Sequence, residues 1–277
     1  MFPISSVLPY LPRLKIVDVG AAETEQPPAY MRLLGAFPYE LIGFEPQADA
    51  CRTLSERARP HHRYLPYAIA DGGRHSFYQC SSPHCSSLFE PDEALTGKFH
   101  NLGSLTRVVG RSEIETYRLD DIPETAGADF LKLDVQGAEL LVLKGAAKRL
   151  GDILVVHTEV EFLPLYKEQP LFGDIDACLR QHGFLFHTLI PAGRTFKPFV
   201  ANNDDDAWMR QIIWADAVYV RDFTKFAELA PGALLKIAAI LHENYQSFDL
   251  AALALEAHDR QTGSALQPAY LRRLSGG

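Results

Sequence analysis

The chain alternates short apolar runs, rich in branched residues, with stretches of helical period, the pattern of a largely parallel sheet covered by helices on both faces. The first run, LKIVDVG at residues 14–20, reads as a buried strand that stops at Gly20. PAYMRLLGAF follows as a helix with Pro28 near its first turn. ELIGFEP at 40–46 is a second strand, ended by Pro46, and residues 47–59 form a helix that sets Ala50, Leu54 and Ala58 on one face. YLPYAIAD at 64–71 is a third strand, made irregular by Pro66. Over residues 72–128 the rhythm breaks, and short β-like pieces (HSFYQC, EIETYRL) mix with Ser, Pro, His and Gly. This stretch reads as a hairpin-rich excursion over the mouth of the sheet, the kind of long connection that carries function.

The rhythm resumes with a strand at DFLKLDV, residues 129–135, and a helix over 138–150. DILVVHTEVEF at 152–162 is a long central strand, and the helix over 172–182 ends before Gly183, placed for a left-handed C-cap. FLFHTLI at 184–190 and ADAVYVRD at 215–222 close the sheet, joined by a polar loop over 191–214. From Thr224 onward the β signal is gone, and ALLKIAAILHENY and FDLAALALEAHD predict two amphipathic helices. The expected organisation is an α/β domain over 1–222, with the 72–128 excursion above its site, and a C-terminal helical hairpin over 223–277. That hairpin either covers the sheet or joins two copies in a homodimer.

Composition narrows the function classes. With 47% hydrophobic and 22% charged residues the chain can build a sizeable core. The net charge of −8 and the lack of a basic stripe beyond Arg272 and Arg273 argue against nucleic acid as partner. Four cysteines in 277 residues do not make a disulfide scaffold. No apolar run is long enough for a membrane span and no leader pattern opens the chain, so a cytoplasmic protein without membrane attachment is expected.

Ligands of open α/β sheets lie beyond the carboxyl ends of the strands, and four motifs fall there. In DVGAAETE a dinucleotide fingerprint would need glycines at 20, 22 and 25, where Gly20, Ala22 and Glu25 stand. Glu23 and Glu25 add negative charge where a phosphate would lie, which disfavours a nicotinamide-dependent oxidoreductase and suits a cationic nucleoside. Asp18, Gly20 and Ala21 are the cofactor candidates of this turn. Glu45, followed by Pro46, can accept both hydroxyls of an unphosphorylated ribose. At AIAD, Ala70 through its backbone or Asp71 through its side chain faces an adenine. In DFLKLDVQGAELLVLKGA, alternation places Lys132 and Asp134 on one face, and Glu139 falls in the first turn of the next helix.

The block KLDVQGAELLVLKGA closely resembles the hallmark of the FkbM family of S-adenosylmethionine-dependent methyltransferases. VDVGA, GFEP, AIAD, CSSLFEP and YRLDDI upstream, and VVHTEVEFLPLYKEQPLF and GFLF downstream, stand in that family's order, so the resemblance spans roughly residues 15–222. It implies a Rossmann-like class I methyltransferase sheet, mostly parallel with one antiparallel edge strand, and methylation of a sugar or secondary-metabolite hydroxyl with S-adenosyl-L-methionine as cofactor. By motif, Asp18 and Gly20 mark the cofactor turn, Glu45 the ribose, Asp71 the adenine side and Asp134 the wall by the methyl group. Ser86, Ser87 and Leu88 become loop residues near the cofactor or acceptor, and Glu139 a second carboxylate near the acceptor. The chain departs from the pattern in lacking a second glycine after Gly20 and in carrying Gln136 where glutamate is commoner.

A hydroxyl nucleophile gains from a base within reach, and the candidates are Asp134, His157 and Glu159, the last two sharing a strand face with Glu161. Cys80, His84 and Cys85 stand together, but a structural zinc needs a fourth ligand that is not nearby, so no metal site is expected. Two further readings stay open: a non-catalytic scaffold of the same fold, and the disfavoured oxidoreductase.

Overall fold

The computed structural model describes residues 2–10, 12–21 and 27–276. Its first half lays down β1 (Leu14–Val19), α1 (Met31–Ala36), β2 (Tyr39–Phe44), α2 (Ala48–Glu56) and β3 (His62–Leu65). The single strand expected over 64–71 is two, because Pro66 has no N–H to give a ladder. After it, β4 (Ala68–Ile69) leaves for a second sheet with β5 (Arg74–Cys80) and β6 (Val108–Tyr117), in the order β4-β6-β5. The antiparallel pairing of β5 with β6 makes the hairpin of the excursion. Between those two strands lie the one-turn helices α3 (Glu93–Thr96) and α4 (Leu102–Leu105).

The chain then returns to the large sheet through β7 (Phe130–Leu133), α5 (Glu139–Lys144), β8 (Val155–Glu161), α6 (Phe172–Gln181), β9 (Phe184–Ala192) and β10 (Trp214–Arg221). α5 is shorter than the helix expected over 138–150. Asp120 takes the backbone N–H groups of Lys148 and Arg149, each at 3.0 Å, and draws the chain out of the helical path. The seven strands run β3-β2-β1-β7-β8-β10-β9, parallel from β3 to β8. β10 is antiparallel to both neighbours, so the antiparallel element lies at this edge, next to the outermost β9. This is a Rossmann-like sheet whose order reverses between β1 and β7, the position at which such sheets bind ligands.

The tail holds α7 (Pro231–Ile240), a π-helical turn at Leu241–Tyr245, α8 (Phe248–Thr262) and a third helix, α9 (Leu266–Leu274). Alternation along each strand sends side chains to two cores. Leu14, Ile16, Leu41, Phe130 and Val155 pack with α1 and the C-terminal helices, whereas Val17, Ile42, Leu131 and Val156 pack with α5 and α6. The C-terminal helices therefore cover one whole face of the sheet. Lys236 of α7 fastens them there, its ammonium 2.8 Å from both oxygens of Asp129, which also accepts the Lys15 N–H at 2.9 Å. No helix among the described residues is long and apolar enough to cross a membrane.

Leu235 of α7 is fully buried in this shared core. Leu235→Ala is expected to cost about 2–5 kcal/mol, seen as a lower urea midpoint at unchanged slope. A main transition that stayed in place would mean that the tail is not part of the sheet's core.

Candidate functional site

On β1, β7 and β8 the face beneath α1 and α7 changes character as the strands run out. Its apolar row is Ile16, Phe130 and Val155, neighbours across three strands and all fully buried. Two residues further, the row is Asp18, Lys132 and His157, again in register. Another two residues bring Gly20, Asp134 and Glu159 to the mouth. The same alternation that builds the core thus delivers a polar cluster at the switch point.

Lys132 is the centre of it. Its ammonium donates to the Gly20 carbonyl at 3.1 Å and to Asp134 Oδ2 at 3.4 Å, and pairs with Asp18 Oδ1 at 3.3 Å. Burial would lower the lysine's pKa, but Asp18 and Asp134 outweigh it and hold the group charged. Asp18 is 3% exposed, and the Tyr30 hydroxyl donates to its Oδ2 at 2.5 Å. Burial pushes the Asp18 carboxyl up, with Lys132 and Tyr30 opposing. Gly20 turns the chain at φ +84°, and a Cβ there would overlap the Asp134 carbonyl oxygen, so only glycine lets the β1 and β7 ends meet this closely.

Above the cluster opens a cleft of about 970 Å³ including its open mouth. One wall is apolar, made of Phe44, Pro46, Tyr67, Ile69, Phe77 and Ile114. Glu45 lines the same side at 4% exposure. One of its oxygens accepts the Gln47 N–H at 2.9 Å, and burial pushes the carboxyl up. The excursion, which already supplies Phe77 and Ile114, adds Pro83, His84, Ser86, Ser87 and Leu88 to the lining. Gly20, Asp134, Gln136 and Glu159 complete the lining at the strand ends.

Three carboxylates here differ sharply. Asp134 opens 38% of its side chain; burial pushes it up, but Lys132 and the Gln136 amide outweigh that and hold it below the usual value. Glu159 is driven well above the usual value by burial and then by Asp134, Glu161 and Glu139. Glu139 is fully buried, its Oε1 takes the Val135 N–H at 2.8 Å, and burial raises it to about 7.

The structure brings together Gly20, Glu45, Pro46, Ser86, Ser87, Asp134 and Glu159 around one cleft. Asp18 and Ala21 lie beneath the lining, Asp18 acting through Lys132, and the Ala21 N–H bonded to the Phe44 carbonyl at 3.0 Å. Asp71 is drawn out toward solvent by the Gly73 N–H at 2.9 Å and His75 at 2.8 Å, and the Ala70 N–H is spent on the Tyr117 carbonyl. At this strand end the cleft is lined instead by Tyr67, Ala68 and Ile69. Glu139 stays under the turn rather than facing an acceptor. His157, 3% exposed, is stacked on Tyr245, bonded to that hydroxyl at 3.1 Å and paired with Asp216 at 3.5 Å, outside the cleft. Glu23 and Glu25 lie outside the described residues. Among the described residues no three His, Cys, Asp or Glu side chains converge to hold a metal ion. Sequence reasoning missed Tyr30, Tyr166 and Tyr245, for which the only local signal is a tyrosine in a helix or turn.

A family model described as the methyltransferase FkbM domain matches residues 18–186. The chain is 28% identical over 170 residues to the 2-O-methyltransferase NoeI of Sinorhizobium fredii, covering 58% of this chain and 69% of that relative. Among solved structures, a methyltransferase FkbM from Methylobacillus flagellatus aligns at TM-score 0.42 and 15% identity, over 79% of this chain and 48% of the other. Magnesium protoporphyrin IX methyltransferase from Synechocystis, with bound SAM, aligns at TM-score 0.40 and 9% identity, over 79% and 76%.

Burial lifts Glu139 from 4.5 to about 7, so between those values the folded form keeps a proton that the unfolded chain has released. Its contribution to stability is complete below pH 4.5 and is lost as pH rises through 7. Glu139→Gln keeps an acceptor for the Val135 N–H and is expected to flatten the decline in melting temperature between pH 5 and pH 8. A decline as steep as in the wild type would rule out Glu139 as its source.

Proposed function

The chain belongs to the FkbM methyltransferase family and is an S-adenosylmethionine-dependent methyltransferase; on that premise we propose that it methylates a hydroxyl of a small-molecule acceptor, a sugar or a secondary metabolite, within this cleft. The observation that carries the reading is the pairing in the cleft lining, bridged by Gln136, of an accessible Asp134 held below the usual carboxylate value with a Glu159 pushed well above it. The name of NoeI, a 2-O-methyltransferase, supports oxygen as the atom methylated.

The residues present fit the cofactor. Among the described residues only the Gln47 N–H hydrogen-bonds the Glu45 carboxylate, which leaves its other oxygen for ribose hydroxyls. The apolar wall of Tyr67, Ile69, Phe77 and Ile114 suits a flat base, and the carboxylate-rich strand ends suit a cation. When bound, the cofactor supplies an electrophilic methyl group on a sulfonium. The protein's part is to align the acceptor oxygen, exclude water and receive a proton. Asp134, charged and open to the cleft, is placed to take the hydroxyl proton, and protonated Glu159 is placed to hold the acceptor oxygen by donating to it. The same carboxylates disfavour the pyrophosphate of a nicotinamide cofactor.

Calorimetric titration with S-adenosylmethionine tests the assignment. Saturable binding is expected, weakened at least about tenfold by Glu45→Ala, since charge-assisted hydrogen bonds are worth about 1.5–3 kcal/mol each. Asp134→Asn is expected to bind but to transfer no methyl group to any component of a metabolite extract, read by mass spectrometry. Absence of saturable binding would sink the reading; an unchanged affinity in Glu45→Ala would move the ribose elsewhere.

A further inference from the structure

Gln136 stands between the two cleft carboxylates and is bonded at every polar side-chain atom. Its Nε2 donates to Asp134 Oδ1 at 3.0 Å and to Glu159 Oε2 at 2.6 Å. The Tyr166 hydroxyl lies 3.0 Å from Gln136 Oε1 and 3.0 Å from the Cys85 carbonyl, both acceptors. The Asp134 carboxylate can only accept, which turns the amide's nitrogen toward the carboxylates and its oxygen toward Tyr166, whose one hydroxyl proton is shared between that oxygen and the Cys85 carbonyl. The Ser87 hydroxyl donates to the Gln136 carbonyl at 2.6 Å. The residue sits at φ +56°, a backbone region that few non-glycine residues occupy. A left-handed glutamine held by this many side-chain contacts, in the lining of the cleft, points to a functional constraint.

Two carboxylates bridged through one nitrogen cannot both ionise cheaply, and a neutral amide adds no third charge. Charge around the pair is uneven. Asp134 is faced by Lys132 of β7, Asp18 of β1, His157 of β8, Glu139 of α5 and Cys85 of the excursion. Glu159 is faced by Asp134, Glu139, Glu161 of its own strand, Asp216 of β10 and the Tyr166 hydroxyl, with no cation among them. The amide donates to both carboxylates, so the asymmetry comes from Lys132, whose ammonium reaches Asp134.

We propose that Gln136 is a positioning residue, an amide bridge that holds Asp134, the carboxylate beside Lys132, in place to take the proton of the acceptor hydroxyl. The role assigned to that proton rests on the methyl-transfer reading; the arrangement of charge does not.

The test is a pH titration of the side-chain carboxyl carbon-13 resonances in the full chain, assigned with Asp134→Asn and Glu159→Gln. In the wild type Glu159 is expected to stay protonated at pH 7 while Asp134 stays ionised. Gln136→Leu is expected to raise the Asp134 midpoint by about one pH unit. Tyr166→Phe, which only frees the amide, is expected to raise it by less and carries the test should Gln136→Leu not fold. An Asp134 midpoint that moves in neither variant, or a Glu159 ionised at pH 7 in the wild type, overturns the proposal. The titration needs neither cofactor nor acceptor, so its failure leaves methyl transfer standing, and failed cofactor binding leaves the titration standing.

Discussion

A buried ammonium must find acceptors or lose its charge, and Lys132 meets that demand in one way only. Its acceptors are the Gly20 carbonyl, Asp18 and Asp134, drawn from the two strand ends where the sheet order reverses. Satisfying the lysine therefore fixes the spacing of the β1 turn and the β7 end, and the cleft is the space left above them. Gly20 is needed because the Asp134 carbonyl occupies the place of a Cβ. Lys132 holds the Asp134 carboxyl below its usual value, and burial, with Asp134 next, pushes Glu159 well above its own.

The helical layer is more than a lid on hydrophobic surface. Tyr30, just ahead of α1, donates to Asp18, and Tyr245, in the π-helical turn after α7, closes on His157. The buried polar row is thus finished from the covering helices at both ends. On the opposite side of the cleft, the excursion reaches the same cluster through Ser87 and Cys85. Three parts of the chain far apart in sequence converge on one charged row, so a change in any of them alters the balance of protons at the mouth.

Much of this was legible in the sequence, wherever period two alone decides. Alternation placed Lys132 with Asp134, and His157 with Glu159 and Glu161, on one face, and the stop at Gly20 marked a turn that lines the cleft. The family hallmark pointed to the block that supplies Asp134 and Gln136. What could not be read was set by contacts between distant residues or by local capture. Register across β1, β7 and β8 decides that Asp18, Lys132 and His157 form a row. His157 looked like a base until Tyr245, 88 residues away, closed over it. Asp71 sits at the right strand end, yet the nearby Gly73 N–H and His75 turn it outward. Gln136 read as a mild departure because its partners Tyr166 and Glu159 lie 30 and 23 residues on.

On the proposed function, the Lys132 ammonium builds the end of the cleft that receives the cofactor. Lys132→Met keeps the length and burial of the side chain and removes its charge and three donors. Titrating S-adenosylhomocysteine into this variant by calorimetry is the most direct test. An affinity at least about tenfold weaker than wild type is the expected result, since one charge-assisted hydrogen bond is worth about 1.5–3 kcal/mol. Wild-type affinity in Lys132→Met would contradict the account, because it would show that the turn and Asp134 hold their places without the lysine.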